Sequence, residues 1–474
     1  MSTLSVREAT RRATQRVQHS DIEPPKDRNS TIARPPGISS LGLIQGFRKG
    51  PDVLDLFVAD AKRHPTLSHT RLLGEHLYFL NSPDAILTVM HTHGKETIKG
   101  RGLQGAKALL GNGLLTSEGA VHLRQRRLVQ PAFHRDRINR YAEQMSELTV
   151  IHEREWQEGK RVDMVQDMSA LTLAIVGRTL FGSDLSGDAG RVGEALSTVL
   201  EGMGQRLIMG PAALRIPSPG RRKAVMAAAA LDEVVQRLID THRAGGDQDD
   251  MLSMLISAQD EGSGMTDEQV RDEAMTLVLA GHETTAMTMA WGWLMLATNP
   301  VARTWLTDEL DQVLAGRNPS MADLDSLPRT RATIAEILRL YPAAWVMGRR
   351  LLTDVEIDGW QIPRGAICLA SQYVQQRDSR WWDQPLAFRP QRWLTTDGDF
   401  DETAPGQPRG SWFPFGWGNR RCIGEAFAWT EAALILATLG QRWTPQLVAG
   451  QSITPNPMVT LRPSPALPMT LTRR

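Results

Sequence analysis

Phe415-Gly416-Trp417-Gly418-Asn419-Arg420-Arg421-Cys422-Ile423-Gly424 is the stretch from which the rest of this 474-residue chain is read. Its pattern, F-x-x-G-x-R-x-C-x-G, joins the parts that a thiolate ligand to haem iron needs. A helical pattern begins near Gly424, so Cys422 stands just before a helix N-terminus. There the macrodipole and free N–H groups favour a thiolate. The glycines let backbone N–H groups come close to the sulfur. Arg420 offers a guanidinium to a haem carboxylate. A Gly-rich loop that merely happened to hold a Cys would not be expected to match every fixed position.

Bulk properties agree with such a centre and exclude others. The chain holds two cysteines, Cys368 and Cys422. That is too few for a disulfide framework or a Cys-rich zinc site, and it fits a reducing cytoplasm. Cys368 carries no motif and reads as a small buried hydrophobe. Lys plus Arg number 54 and Asp plus Glu 53, a net charge of +1. This is no electrostatic footprint for nucleic acid. Ala274–Ala297 is long enough to span a membrane, but His282 and Glu283 at its centre make a buried core helix the better reading. Arg7, Arg11, Arg12 and Arg16 are followed by no apolar stretch, so no secretory signal is read. Residues 1–34 read as a polar, flexible segment and 35–474 as one domain.

The chain outside the Cys loop is mostly helical, with a small β component: a mainly α (α+β) class with small sheets. Helical periodicity covers 51–64, and two strands flank Gly74-Glu75 within Leu67–Leu80. Ser82-Pro83-Asp84 opens another helix. Gly100–Gly119 reads as a mobile loop with helical fragments, and a helix from Val121 to Phe133 carries Arg124, Arg126 and Arg127. Helical patterns cover 135–160, 164–183, 190–204 and, as one run, 223–258. Thr266 with Gln269 three residues on forms a capping box that launches a long helix through 297. Helices at 301–316 and 330–340 precede a hairpin signalled by Asp358-Gly359. The last helix runs from Gly424 to Gln441.

The decapeptide around Cys422 resembles the haem-binding signature of the cytochrome P450 family, and three more of its motifs occur in order. Ala280-Gly281-His282-Glu283-Thr284-Thr285, midway along the long helix, is similar to the oxygen-activation motif. The resemblance implies that Ala280 and Gly281 lie against the haem and that Glu283 and Thr284 relay protons, with Thr284 bonding a helix carbonyl. Glu336 and Arg339 match the E-x-x-R element, and Phe388-Arg389-Pro390-Gln391-Arg392-Trp393 matches the stretch whose Arg392 completes a structural charge triad. Gln391 and Trp393 stand where many members have Glu and Phe, departures that look mild. His122 and Arg126, one turn apart, are implied partners of a haem propionate. Arg349 is a further one, with Arg350 as the alternative. Phe415, Gly418, Arg420 and Gly424 complete the implied haem contacts.

The same resemblance implies a haem b monooxygenase, with the haem between the long helix and the Cys loop. It would oxidise a hydrophobic small molecule of terpenoid or fatty-acyl type, by hydroxylation or epoxidation. The chain ends about 50 residues after Cys422 and shows no flavin or NAD motif. Electrons are therefore expected from NAD(P)H through a ferredoxin and its reductase, with Arg124 and Arg127 as a docking patch. A cytoplasmic protein without a membrane anchor, favoured as a monomer, is expected. The implied pocket residues are Leu109, Leu114, Leu277, Ala280, Ala343, Ala344, Val346, Met458 and Val459, nearly all apolar. Two rival readings are a peroxide-driven peroxygenase or isomerase on the same fold, and a haem sensor without catalysis. The intact Glu283-Thr284 pair ranks both lower.

Overall fold

The helix launched by Thr266 runs from Asp267 to Thr298. Its capping box is formed: Gln269 N–H donates to Thr266 Oγ1 (3.2 Å), and Thr266 N–H donates to Gln269 Oε1 (2.9 Å). Beyond its first turn this helix is buried on nearly all sides, as befits a core helix that is apolar around its circumference. The helix Met164–Phe181 packs along it, and Thr172 Oγ1 donates to His282 O across the contact (3.1 Å). Among the described residues no helix is long and apolar enough to cross a membrane. The computed structural model describes residues 32–474 apart from 51, 186, 188–189, 196–197, 200–218, 247–249, 261–262 and 404–405. The 1–34 segment, save its last three residues, and much of the 190–204 pattern lie outside the described residues.

One five-stranded sheet flanks the helices, in the order Leu67–Leu72, Glu75–Leu80, Ile367–Ala370, Met347–Leu351, Thr97–Lys99. All its pairs are antiparallel except Glu75–Leu80 with Ile367–Ala370. Cys368 is fully buried in a central strand, and burial pushes its thiol up to about 12. The hairpin read at Asp358-Gly359 forms, with φ of 51° and 76° at the two turn residues. These are the positive values a type I′ turn demands.

Two expectations are corrected. The run 223–258 is two helices, Pro219–Gly245 and Met251–Ser257. Gly246, at φ 79°, closes the first, and Asp250 caps the second by accepting the Ser253 N–H (2.8 Å). The polar, glycine-bearing stretch between them supplies both the stop and the start signal. The 100–119 segment is a helix, Arg101–Leu110, followed by a loop pinned to the long helix. Asp272 accepts the Asn112 N–H (2.7 Å) and Glu273 the Leu114 N–H (2.9 Å). A Cβ on Gly111 or Gly113 would collide with Asp272 and Thr276. Gly111 and Gly113 serve close approach to the long helix.

The helix Pro328–Leu340, which packs on the last helix (Glu425–Gly440), carries a buried polar knot. Glu336 accepts a bidentate pair from Arg339 (2.7 and 2.8 Å), Arg392 Nε (3.2 Å), Trp393 Nε1 (2.9 Å) and the Arg389 N–H (2.9 Å). Arg339 spends its remaining donors on the carbonyls of Gln376, Pro385 and Ala387. The knot ties the irregular stretch before the Cys loop to the helix Pro328–Leu340. Trp393, read as a mild departure, supplies one of the hydrogen bonds.

Candidate functional site

A cavity of about 600 Å³ lies between the long helix and the Cys loop. Ala280, Gly281 and Thr284 line it from one side, and Cys422, Phe415 and Gly424 from the other. The rest of the wall is largely apolar.

The Cys loop is built by backbone geometry. Gly416 and Gly418 hold positive φ (78° and 69°), and Cys422 N–H donates to Phe415 O (2.9 Å). A Cβ on Gly418 would stand 2.4 Å from Met90 O. This glycine seats the loop on the turn at Thr88–Thr92 and is not part of the cavity lining, against the expectation of a haem contact. The Gly424 N–H lies near the Cys422 sulfur and favours its thiolate form. The thiol is accessible from the cavity yet deep within the protein. That depth pushes it up to about 11, while the Gly424 N–H, Arg126 and Arg421 pull the other way. A bound metal ion would deprotonate such a sulfur outright.

One end of the cavity gathers cations. Lys99, His122, Arg126, Arg349 and Arg420 all line it. Strand register explains two of them: Lys99 pairs directly with Arg349, so both project from one face of the sheet. Arg350, one residue on, faces the opposite way. It holds Glu75 in a bidentate pair (2.9 and 3.0 Å) and is not in the lining. Carboxylates do not balance the cluster. Glu118 is taken by Arg420 (2.5 Å), while Arg126 and Arg349 donate to the carbonyls of Arg421 (2.9 Å) and Gly348 (3.0 Å). Burial and mutual repulsion press His122 down to about 3, Lys99 to about 6 and Arg349 to about 10. A planar dianion carrying a soft metal fits this donor set. Its carboxylates would supply the missing negative charge, and the Cys422 sulfur would meet the metal.

On the long-helix side Thr284 Oγ1 donates to Ala280 O (2.8 Å), the carbonyl bond expected of it. Glu283 is buried, and its carboxylate is held by Arg462 (2.8 and 2.9 Å) and Thr460 (2.9 Å) from a late hairpin. Leu114, Leu277, Ala343, Ala344, Val346, Met458 and Val459 line the cavity as expected. The Leu109 side chain lies outside the described residues; Leu103, Leu110 and Leu115 also line the wall. Arg124, read as a docking residue, donates to Gly264 O (3.1 Å). Sequence reasoning missed Lys99, Glu118, Thr460 and Arg462. No local spacing marks them, since each reaches the site through strand register or long-range packing.

A family model described as Cytochrome P450 matches residues 33–469. Cyclooctatin synthase of Streptomyces melanosporofaciens is 38% identical over 416 residues, covering 86% of this chain and 89% of that protein. Cyclooctat-9-en-7-ol 5-monooxygenase of the same organism is 34% identical, covering 91% and 93%. Pentalenene oxygenase of Streptomyces avermitilis is 34% identical, covering 78% and 82%. The solved structure of retinoic-acid-bound cyanobacterial CYP120A1 superposes with a TM-score of 0.81 at 22% identity, covering 93% of this chain and all of that one, which shows a common fold.

Proposed function

The chain belongs to the cytochrome P450 family and is a haem–thiolate monooxygenase, and from that premise we propose that it oxidises a cyclic terpenoid by hydroxylation or epoxidation. The cavity carries this reading: a cysteine sulfur on one wall, a threonine of the long helix on the other, cations gathered at one end, and a largely apolar lining over the rest. A bulky hydrocarbon is what such a wall admits. The relatives point the same way, since their names specify oxygenation of cyclooctat-9-en-7-ol and pentalenene.

Bound haem supplies reductive activation of dioxygen, with thiolate donation favouring O–O cleavage. Cys422 provides that thiolate, and the Gly424 N–H favours it. Arg126, Arg349, Arg420 and His122 would hold the haem carboxylates, and Phe415, Ala280 and Gly281 would pack against the ring system. Thr284 Oγ1 holds a proton at the long helix, and the neighbouring Glu283 completes the proton-handling pair. Leu114, Leu277, Ala344, Val346, Met458 and Val459 exclude water and seat the substrate. Residues 35–474 act as one domain. Electrons come from NAD(P)H through a ferredoxin and its reductase.

The test supplies purified protein with ferredoxin, reductase, NADPH and isotopically labelled dioxygen. Cyclooctat-9-en-7-ol, pentalenene and palmitic acid are the probes. A terpenoid product carrying one labelled oxygen is expected. Oxidation of palmitic acid alone would overturn the substrate class, and turnover that is faster with peroxide than with the electron donors would favour a peroxygenase.

A further inference from the structure

Glu283 sits in the cavity wall, and both of its carboxylate oxygens are held by the late hairpin. Arg462 donates Nε to Oε1 (2.8 Å) and Nη2 to Oε2 (2.9 Å), and Thr460 Oγ1 donates to Oε1 (2.9 Å). Consecutive helix residues diverge by about 100°. The Thr284 hydroxyl points along its own helix to Ala280 O. The alcohol in contact with the acid is therefore Thr460, a residue 177 positions away.

The hairpin pairs Thr454–Pro457 with Leu461–Ser464, and its turn places Met458, Val459 and Thr460 in the cavity wall. Three bonds fasten that turn. Trp345 Nε1 donates to Met458 O (2.8 Å), Trp291 Nε1 to Leu461 O (2.8 Å), and Leu461 N–H to Ala343 O (3.0 Å). Trp291 belongs to the long helix and stacks on Tyr341 at 3.9 Å, so the anchor is rigid. One short hairpin thus carries the substrate wall, on its turn, and the two residues that hold Glu283, Thr460 on the turn and Arg462 on the strand after it.

We propose that Arg462 and Thr460 are positioning residues that fix the direction of the Glu283 carboxylate and tie it to the surface where substrate rests. This rests on the reading of Glu283 and Thr284 as the proton-handling pair. The Arg462 fork makes two parallel bonds and so sets orientation, which a lysine ammonium at the same place does not. Two outcomes share the same reducing power. In one, substrate, dioxygen, two electrons and two protons give hydroxylated product and water. In the other, dioxygen, two electrons and two protons give hydrogen peroxide and leave the substrate untouched. A misaimed acid shifts the partition toward peroxide without altering how substrate binds.

The experiment compares Arg462→Lys, Thr460→Val, Glu283→Gln and the Arg462→Lys/Glu283→Gln double variant as haem-loaded proteins, using whichever terpenoid probe the wild type oxidises. Arg462→Lys is expected to lower product per peroxide about tenfold, with Thr460→Val intermediate and the double variant no worse than Glu283→Gln. The dissociation constant of the probe, read from its spectral titration, is expected to stay within about twofold, because the Met458 and Val459 surface is kept. Thermal unfolding of the same four proteins provides a readout without turnover, with Arg462→Lys and Glu283→Gln acting non-additively. A wild-type partition in both Arg462→Lys and Thr460→Val would overturn the proposal, as would losses that add to that of Glu283→Gln, or additive unfolding midpoints. A wild type that oxidises no probe contradicts the substrate reading above, and the unfolding cycle still decides whether the pair forms.

Discussion

Two buried glutamates, Glu336 and Glu283, are both clamped by an arginine fork, and their surroundings differ in one respect. Glu336 is enclosed on every side: Arg339, Arg392, Trp393 and a backbone N–H occupy its oxygens, and it is not part of the cavity lining. Glu283 has one arginine and one hydroxyl, and it lines the cavity. The same ion-pair chemistry therefore serves two ends. Around Glu336 every donor comes from the helix Pro328–Leu340 and the irregular stretch that leads into the Cys loop. Around Glu283 the donors come from the hairpin whose turn also lines the cavity, and Thr284 lies within one residue. Burial with complete satisfaction marks a structural charge, and burial beside an open cavity marks one available for chemistry.

Breaking the enclosed knot should have the largest effect. Arg339→Leu leaves the Glu336 carboxylate buried without its bidentate partner, at a cost of about 3–5 kcal/mol. Little folded, haem-loaded protein is expected on expression. Normal yield and an unchanged unfolding midpoint would erase the distinction between the two glutamates. The contrast is with Arg462→Lys, where the fold is kept and the oxygen partition changes.

Trp393→Phe probes the knot more finely, because it removes one hydrogen bond to a charged acceptor and keeps most of the ring. A loss of about 1.5–3 kcal/mol is expected from chemical denaturation, with the product-to-peroxide ratio unchanged. A neutral effect would mean that the departure from Phe is as mild as its sequence context suggests.

A third buried glutamate gives an effect that is absent at low pH. Glu431 lies in the last helix beside Thr285, and burial pushes its carboxyl up to about 8. A raised carboxyl stabilises the fold fully below its unfolded value near 4.5, and this stability is lost as pH rises through about 8. Glu431→Gln should leave the midpoint at pH 5 close to wild type and raise it at pH 8.5. Parallel pH profiles for the two proteins would show that Glu431 is ionised at no such cost.

The parts of the site that were legible in the sequence are those fixed by short spacing. Phe415 through Gly424, Glu336 with Arg339, and His122 with Arg126 each lie within a turn or a loop, so residue type and offset carry the geometry. The capping box at Thr266 and the turn at Asp358-Gly359 were legible for the same reason. Lys99 and Arg462 were not, because their placement depends on strand register and on contact with residues far along the chain. Arg462 reaches Glu283 across 179 positions. The 100–119 segment misled because glycine signals mobility and close packing alike, and the carboxylates of Asp272 and Glu273 decide between them. The break near Gly246 was legible in principle, since Gly245-Gly246 and Asp249-Asp250 are a stop signal followed by a cap, but the strongly helical runs on either side obscured it.

Everything proposed for the cavity depends on Cys422 supplying the thiolate to haem iron. The carbon monoxide difference spectrum of the dithionite-reduced protein, wild type beside Cys422→Ser, decides this. A strongly red-shifted Soret band is predicted for the wild type, lost in the variant. A carbonyl spectrum of the histidine-ligated kind in the wild type, or a red-shifted band that survives Cys422→Ser, would refute ligation by Cys422.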